Sequence, residues 1–131
     1  MAQDEKIHKD RLLVVEDDPD IREALTTILE MKEYDAVSAV NGKEALDYLE
    51  GGALPELIIL DLSMPVMDGR QFRRQQLKDP RISQIPVVVV SALSDQIDID
   101  ASAIVLKPVD IDRLLVTIRT ILRAHKGGGS D

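Results

Sequence analysis

Leu57-Ile58-Ile59-Leu60-Asp61 is the stretch on which the fold turns. Four apolar residues in a row leave no side for water, so both faces of the strand they form must be covered. That is the condition of a central strand in a parallel sheet wrapped by helices. Asp61 ends the run and so places a carboxylate at the carboxyl end of that strand, before the loop and turn Met64-Pro65-Val66-Met67-Asp68-Gly69.

The same grammar repeats on either side. Leu12-Leu13-Val14-Val15 stops at Glu16-Asp17-Asp18, and Pro19 stands where a helix takes its first residue, with Asp18 suited to the N-cap. Ile21, Ala24, Leu25, Ile28 and Leu29 then recur at helical spacing. Ala36 to Val40 reads as a second strand, and Asn41-Gly42 turns into a helix carrying Ala45, Leu46 and Leu49, closed by Gly51-Gly52. A third helix through Phe72 and Leu77 ends at Asp79-Pro80, and Val87 to Val90 makes the fourth strand before Ser91-Ala92. Ile104-Val105-Leu106 is the fifth, ahead of Lys107-Pro108, and Asp110 caps a last helix with Ile111, Leu114, Leu115, Ile118, Ile121 and Leu122 on its buried stripe. Between the fourth and fifth strands, Asp95, Asp98 and Asp100 alternate with Ile97 and Ile99, a period nearer two than 3.6, so a full fourth helix is not expected there. Strands alternating with amphipathic helices predict an α/β domain with a doubly wound, five-stranded parallel sheet. The expected divisions are an N-terminal tail over 1–10, the domain over 11–125 and a flexible tail over 126–131.

Composition excludes several functions. No cysteine means no disulfide framework, thiolate metal site or thiol nucleophile. Sixteen basic against twenty-four acidic residues, a net charge of −8, disfavour direct nucleic-acid binding, and one Phe, two Tyr and no Trp offer no stacking platform for bases. No apolar run approaches the roughly 20 residues that span a bilayer, so no membrane association is expected and the expected location is the cytoplasm.

In an open α/β sheet, ligands bind beyond the carboxyl ends of the strands. Asp17 and Asp18, Asp61, Ser91 and Lys107 all fall at such ends, on four separate strands. Taken singly, each has a structural explanation: a helix cap, a loop acid, a turn hydroxyl, a solvated strand end. Together they bring carboxylates into one place, where repulsion is relieved by a hard divalent cation such as Mg²⁺, which takes oxygen ligands. Asp17, Asp18 and Asp61 are the expected ligands. Asp61 is also the candidate nucleophile for in-line phosphoryl transfer, with the Lys107 ammonium and the Ser91 hydroxyl facing the phosphoryl oxygens. His8 and His125 have no assigned role.

These residues carry a family resemblance. Val14-Val15-Glu16-Asp17-Asp18-Pro19, Leu60-Asp61-Leu62-Ser63-Met64-Pro65-Val66-Met67-Asp68-Gly69, Val90-Ser91-Ala92 and Leu106-Lys107-Pro108 closely resemble the receiver domain of bacterial two-component response regulators, from about Arg11 to Arg123. The resemblance implies a flavodoxin-like fold with strand order 2-1-3-4-5 and a cis bond before Pro108. It implies formation of a 4-aspartylphosphate at Asp61, with donation by a histidine kinase or histidine phosphotransfer protein. It also implies Mg²⁺ held by Asp17, Asp18, Asp61 and the Ser63 backbone carbonyl. The output is an unidentified downstream protein, and the assembly a monomer or a phosphorylation-dependent dimer. Such a domain is not a turnover enzyme but assists its own phosphorylation and dephosphorylation.

Two departures affect the output. Ile104 stands where the family usually carries Tyr or Phe, which removes an aromatic rotamer switch. The stretch from Ser91 to Lys107 is short by roughly six residues, between one and two helical turns, so the fourth helix is expected to be shortened or irregular. With no DNA-binding or catalytic segment after the last helix, a stand-alone receiver is expected. Two alternatives stay open: a receiver-like scaffold that binds a partner independently of phosphorylation, and a small phosphohydrolase. The second is disfavoured because Ser63, not a second Asp, lies two residues after Asp61, and no cap domain is present.

Overall fold

The computed structural model describes residues 9–92 and 99–130, without the side chains of 127–130. Five strands, β1 (Arg11–Val15), β2 (Asp35–Ala39), β3 (Leu57–Asp61), β4 (Val87–Ser91) and β5 (Ala103–Leu106), form one sheet of order β2-β1-β3-β4-β5. All neighbours are parallel. Among the described residues the helices are α1 (Pro19–Met31), α2 (Gly42–Glu50), α3 (Gly69–Lys78) and α4 (Ile111–Ser130). The last is helical through Ser130, past the residue where a tail was expected to begin.

The pleat explains the two-faced core. Alternate residues Leu13, Val15, Ile58, Leu60, Val87 and Val89 point to one face, where Ala45 and Leu49 of α2 and Phe72 of α3 cover them. Their neighbours Leu12, Val14, Leu57, Ile59, Val88 and Val90 meet Leu25 and Leu29 of α1 and Leu114, Ile118 and Leu122 of α4 on the other face. Every residue of β3 and β4 is buried. The double-sided apolar runs thus found helices on both faces, and the chain reverses its winding between β1 and β3.

Helix starts are fixed by side chains. Asp18 accepts from the N–H groups of Asp20 and Ile21 at 2.9 and 3.2 Å, and Asp68 forms a reciprocal capping box with Gln71. Asp110 accepts from the Arg113 N–H at 3.2 Å.

Residues 93–98, where most of the doubtful fourth helix would fall, lie outside the described residues, and 99–102 are not helical. Val105 packs under α1 and α4, so Ile104 and Leu106 face the other way, where they remain 42% and 45% exposed. Arg73 holds the returning chain to α3: its Nε donates to the Asp100 carbonyl at 2.7 Å and its Nη1 to Gln76 Oε1 at 2.7 Å. The fully buried Gln76 amide donates in turn to the carbonyls of Ile82 and Ile85, which satisfies a polar group that would otherwise be costly in the core.

Candidate functional site

The carboxyl ends of β1, β3, β4 and β5 lie side by side, and the register decides which side chains meet there. Val15 pairs with Leu60, so the next residues, Glu16 and Asp61, are neighbours across β1 and β3. Both are buried, 2% and 4% exposed. Carboxylate oxygens of Glu16, Asp17 and Asp61 all lie within 4.8 Å of one another. Asp18 does not join them, because its carboxylate is turned onto the first turn of α1. The acidic group therefore sits one residue earlier on the chain than the Asp17-Asp18 pair expected from sequence.

Further contacts fix this arrangement. Arg22 reaches back from α1, and its Nη1 donates to the carbonyls of Glu16 at 2.9 Å and Asp17 at 3.2 Å. The Asp18 N–H donates to Glu16 Oε2 at 3.2 Å. Lys107, just past β5, brings its ammonium to 3.5 Å from Asp61 Oδ2 and 3.6 Å from Glu16 Oε1. Its N–H bonds the Ser91 carbonyl at 2.8 Å, which locks the end of β5 to the end of β4. The Lys107–Pro108 peptide bond is cis. Ser63 donates its N–H to Asp61 Oδ1 at 3.3 Å from the loop after β3. That loop holds Val66 at a φ of 69°, a left-handed conformation strained for a β-branched residue.

Asp61, Ser63, Asp68, Arg70, Ser91 and Lys107 line one open cavity of about 480 Å³. Asp61, Ser91 and Lys107 were expected together, whereas Glu16 and Arg70 were not singled out from the sequence. Counting the β1–β3 register one pair past Val15 and Leu60 would have found Glu16. No local signal marks Arg70.

Burial dominates the electrostatics. It pushes the Glu16 carboxyl up to about 7, with the nearby Asp61 charge adding to the rise; the Asp18 N–H and the Lys107 ammonium pull the other way. Three close carboxylates with one ammonium retain excess negative charge in a low-dielectric edge, the setting that favours a hard cation with oxygen ligands. The all-oxygen donor set fits such an ion. The lysine and hydroxyl beside it suit an anion with several oxygens.

A doubly wound sheet with an acidic cluster, a strand-end aspartate and a following lysine defines the class of phosphoryl-accepting signalling modules. Residues 12–119 match the family described as the response regulator receiver domain, and the chain belongs to that family. It is 36% identical over 124 residues to the DNA-binding dual master transcriptional regulator RpaA of a Synechocystis strain, covering 86% of this chain and 49% of that protein. Among solved structures, the signal receiver domain of a signal transduction histidine kinase from Syntrophus aciditrophicus is 32% identical with a TM-score of 0.82, covering 88% of this chain and 91% of that one. The response regulator protein TrrA from Thermotoga maritima, in complex with Mg²⁺ and beryllium fluoride, is 30% identical with a TM-score of 0.75, covering 85% and 97%. The chain spans about half the length of the first curated relatives it matches. Among the described residues no helix is long and apolar enough to cross a membrane.

Proposed function

We propose that this receiver domain accepts a phosphoryl group on Asp61 from the phosphohistidine of a histidine kinase or histidine phosphotransfer protein, in the cytoplasm, and signals through changed protein contacts rather than by turnover. The observation that carries the reading is Lys107 Nζ at 3.5 Å from Asp61 Oδ2, beside the Glu16–Asp17 carboxylates at an open cavity. An Asp61 oxygen bonds to phosphorus as the P–N bond breaks. The imidazole takes that electron pair and leaves as a neutral ring when its other nitrogen carries a proton. Lys107 and the Ser91 hydroxyl face the phosphoryl oxygens and stabilise their charge in the transition state. Asp17 and Asp61, with Glu16 adjoining and the Ser63 carbonyl, would hold Mg²⁺, which when bound neutralises phosphoryl charge. The partner helix docks in the apolar groove of about 530 Å³ lined by Ile21, Ala24, Ile28, Pro108, Val109 and Ile111, which opens beside Lys107.

The test is incubation with acetyl phosphate and Mg²⁺, followed by intact-mass measurement. Wild type gains one phosphate and Asp61→Asn gains none. An unlabelled wild type, under conditions that label another receiver, sinks the reading.

The division of labour between Asp17 and Asp18 gives a second expected result. Asp17→Asn weakens Mg²⁺ binding by about tenfold or more, since it removes a charged oxygen from the cluster. Asp18→Ala leaves Mg²⁺ affinity within about twofold but costs about 1 kcal/mol of stability through the lost cap. Mg²⁺ titration and urea unfolding of both variants check the pair.

A further inference from the structure

We infer that Arg70 recognises the charge of the phosphoryl donor at the mouth of the site, a role that rests on the phosphoacceptor reading of Asp61. Arg70 lines the same cavity as Asp61, Ser91 and Lys107. It comes from the first turn of α3, whereas Lys107 follows Leu106 at the end of β5, so the two cations reach the cavity from different elements.

Its position is set by close packing. Gly69, the first residue of α3, lies against the end of β3, where a Cβ would come 2.5 Å from the Asp61 carbonyl oxygen and 2.8 Å from Leu62 Cα. Only glycine allows that approach. The Gly69 N–H also donates to the Leu62 carbonyl at 3.0 Å, and the Asp68–Gln71 capping box fixes the turn on either side of Arg70. The next residue after a glycine pinned to Asp61 therefore has its backbone tied to the site. A cation in the first turn of α3 also adds positive charge where an anion would enter the cavity.

The chemistry suits a phosphate. A guanidinium presents paired N–H donors that match two phosphoryl oxygens, and it stays charged at every accessible pH. The donor meets two cations, Lys107 and Arg70, that line one cavity. In transfer from acetyl phosphate, an Asp61 oxygen bonds to phosphorus, the P–O bond to the acyl group breaks, and acetate leaves with the electron pair, so no proton is needed. Arg70 acts on the donor before that step and leaves the reacting oxygen of Asp61 unchanged.

The experiment measures the second-order labelling rate of Asp61 with Mg²⁺ for a charge series at position 70: wild type, Arg70→Lys, Arg70→Gln and Arg70→Glu. Two donors are compared, acetyl phosphate and phosphoramidate, the second carrying less net negative charge because its nitrogen is protonated. With acetyl phosphate the rate falls in the order Arg, Lys, Gln, Glu, by about tenfold at Gln, and the ratio of the two donors' rates shifts towards phosphoramidate along the series. A loss of fold does not produce that shift. Glu in the first turn is moreover favoured by the helix dipole, so Arg70→Glu is expected to melt no lower than Arg70→Gln. Equal rates across the series, or an unchanged donor ratio, overturn the inference while wild-type labelling keeps the Asp61 reading intact. If wild type is not labelled at all, both fall.

Discussion

Lys107→Ala is expected to slow labelling of Asp61 by two to three orders of magnitude, about the cost of removing one preorganised charge from a transition state. The ammonium lies 3.5 Å from Asp61 Oδ2 and 3.6 Å from Glu16 Oε1, so it faces the place where phosphoryl charge develops. No other described ion pair reaches either carboxylate. Removing it also takes away one of the influences that hold the Glu16 carboxyl down, so Glu16 shifts further up. The variant should therefore lose labelling at pH 8 without unfolding, and circular dichroism should show a native helix signal. A labelling rate within threefold of wild type contradicts the assigned role. Arg at 107 restores charge but not shape, so Lys107→Arg should recover only part of the rate.

The second large effect is on stability. The Glu16 carboxyl, pushed up to about 7 chiefly by burial, holds its proton in the folded chain well above the ordinary value of 4.5. A folded-state value above the unfolded one favours the fold while the group is protonated. The contribution is complete below about pH 4.5 and is lost as pH rises through 7, an effect on the order of 3 kcal/mol. Metal-free protein in a chelator should thus lose stability to urea between pH 5 and pH 8, and Glu16→Gln should remove most of that slope. Saturating Mg²⁺ should do the same in wild type by compensating the ionised carboxylates, and should stabilise most at high pH. If wild type and Glu16→Gln run parallel over this range in chelator, burial of Glu16 does not set the balance.

Glu16 also shows where reading the chain stops short. The motif Glu16-Asp17-Asp18-Pro19 offers two adjacent acid pairs, and Pro19 marks the helix start without saying which pair turns inward. A shift of one residue decides it: Asp18 spends its carboxylate on two helix N–H groups, while Glu16 follows Val15 straight off the strand. Pleat alternation and helix capping are both local, yet their boundary is set by the β1–β3 register. Asp61, Ser91 and Lys107 were easier to find, since each ends a run of apolar residues long enough to be recognised. The change of period between β4 and β5 was visible, and the family resemblance marked the passage as short, but its tie to α3 through Arg73, Gln76 and Asp100 was not legible, because it joins residues 27 positions apart.

The amino-acid sequence by itself determined the α/β class, the strands and helices in chain order, the burial of β3 on both faces and the convergence of polar residues at one edge of the sheet. Each follows from periodicity or from where an apolar run ends. The strand order came with the family resemblance, and the parallel pairs β2-β1-β3-β4-β5 agree with it. Only the tertiary structure decided that Glu16 rather than Asp18 stands with Asp17 and Asp61, that Glu16 is buried enough to hold its proton near neutral pH, and that Arg70 reaches the same cavity. Those outcomes depend on distances between strands and on how closely Gly69 lets α3 approach β3. Hydrophobic pattern specifies which face a residue takes, but not which charges become neighbours once the faces close.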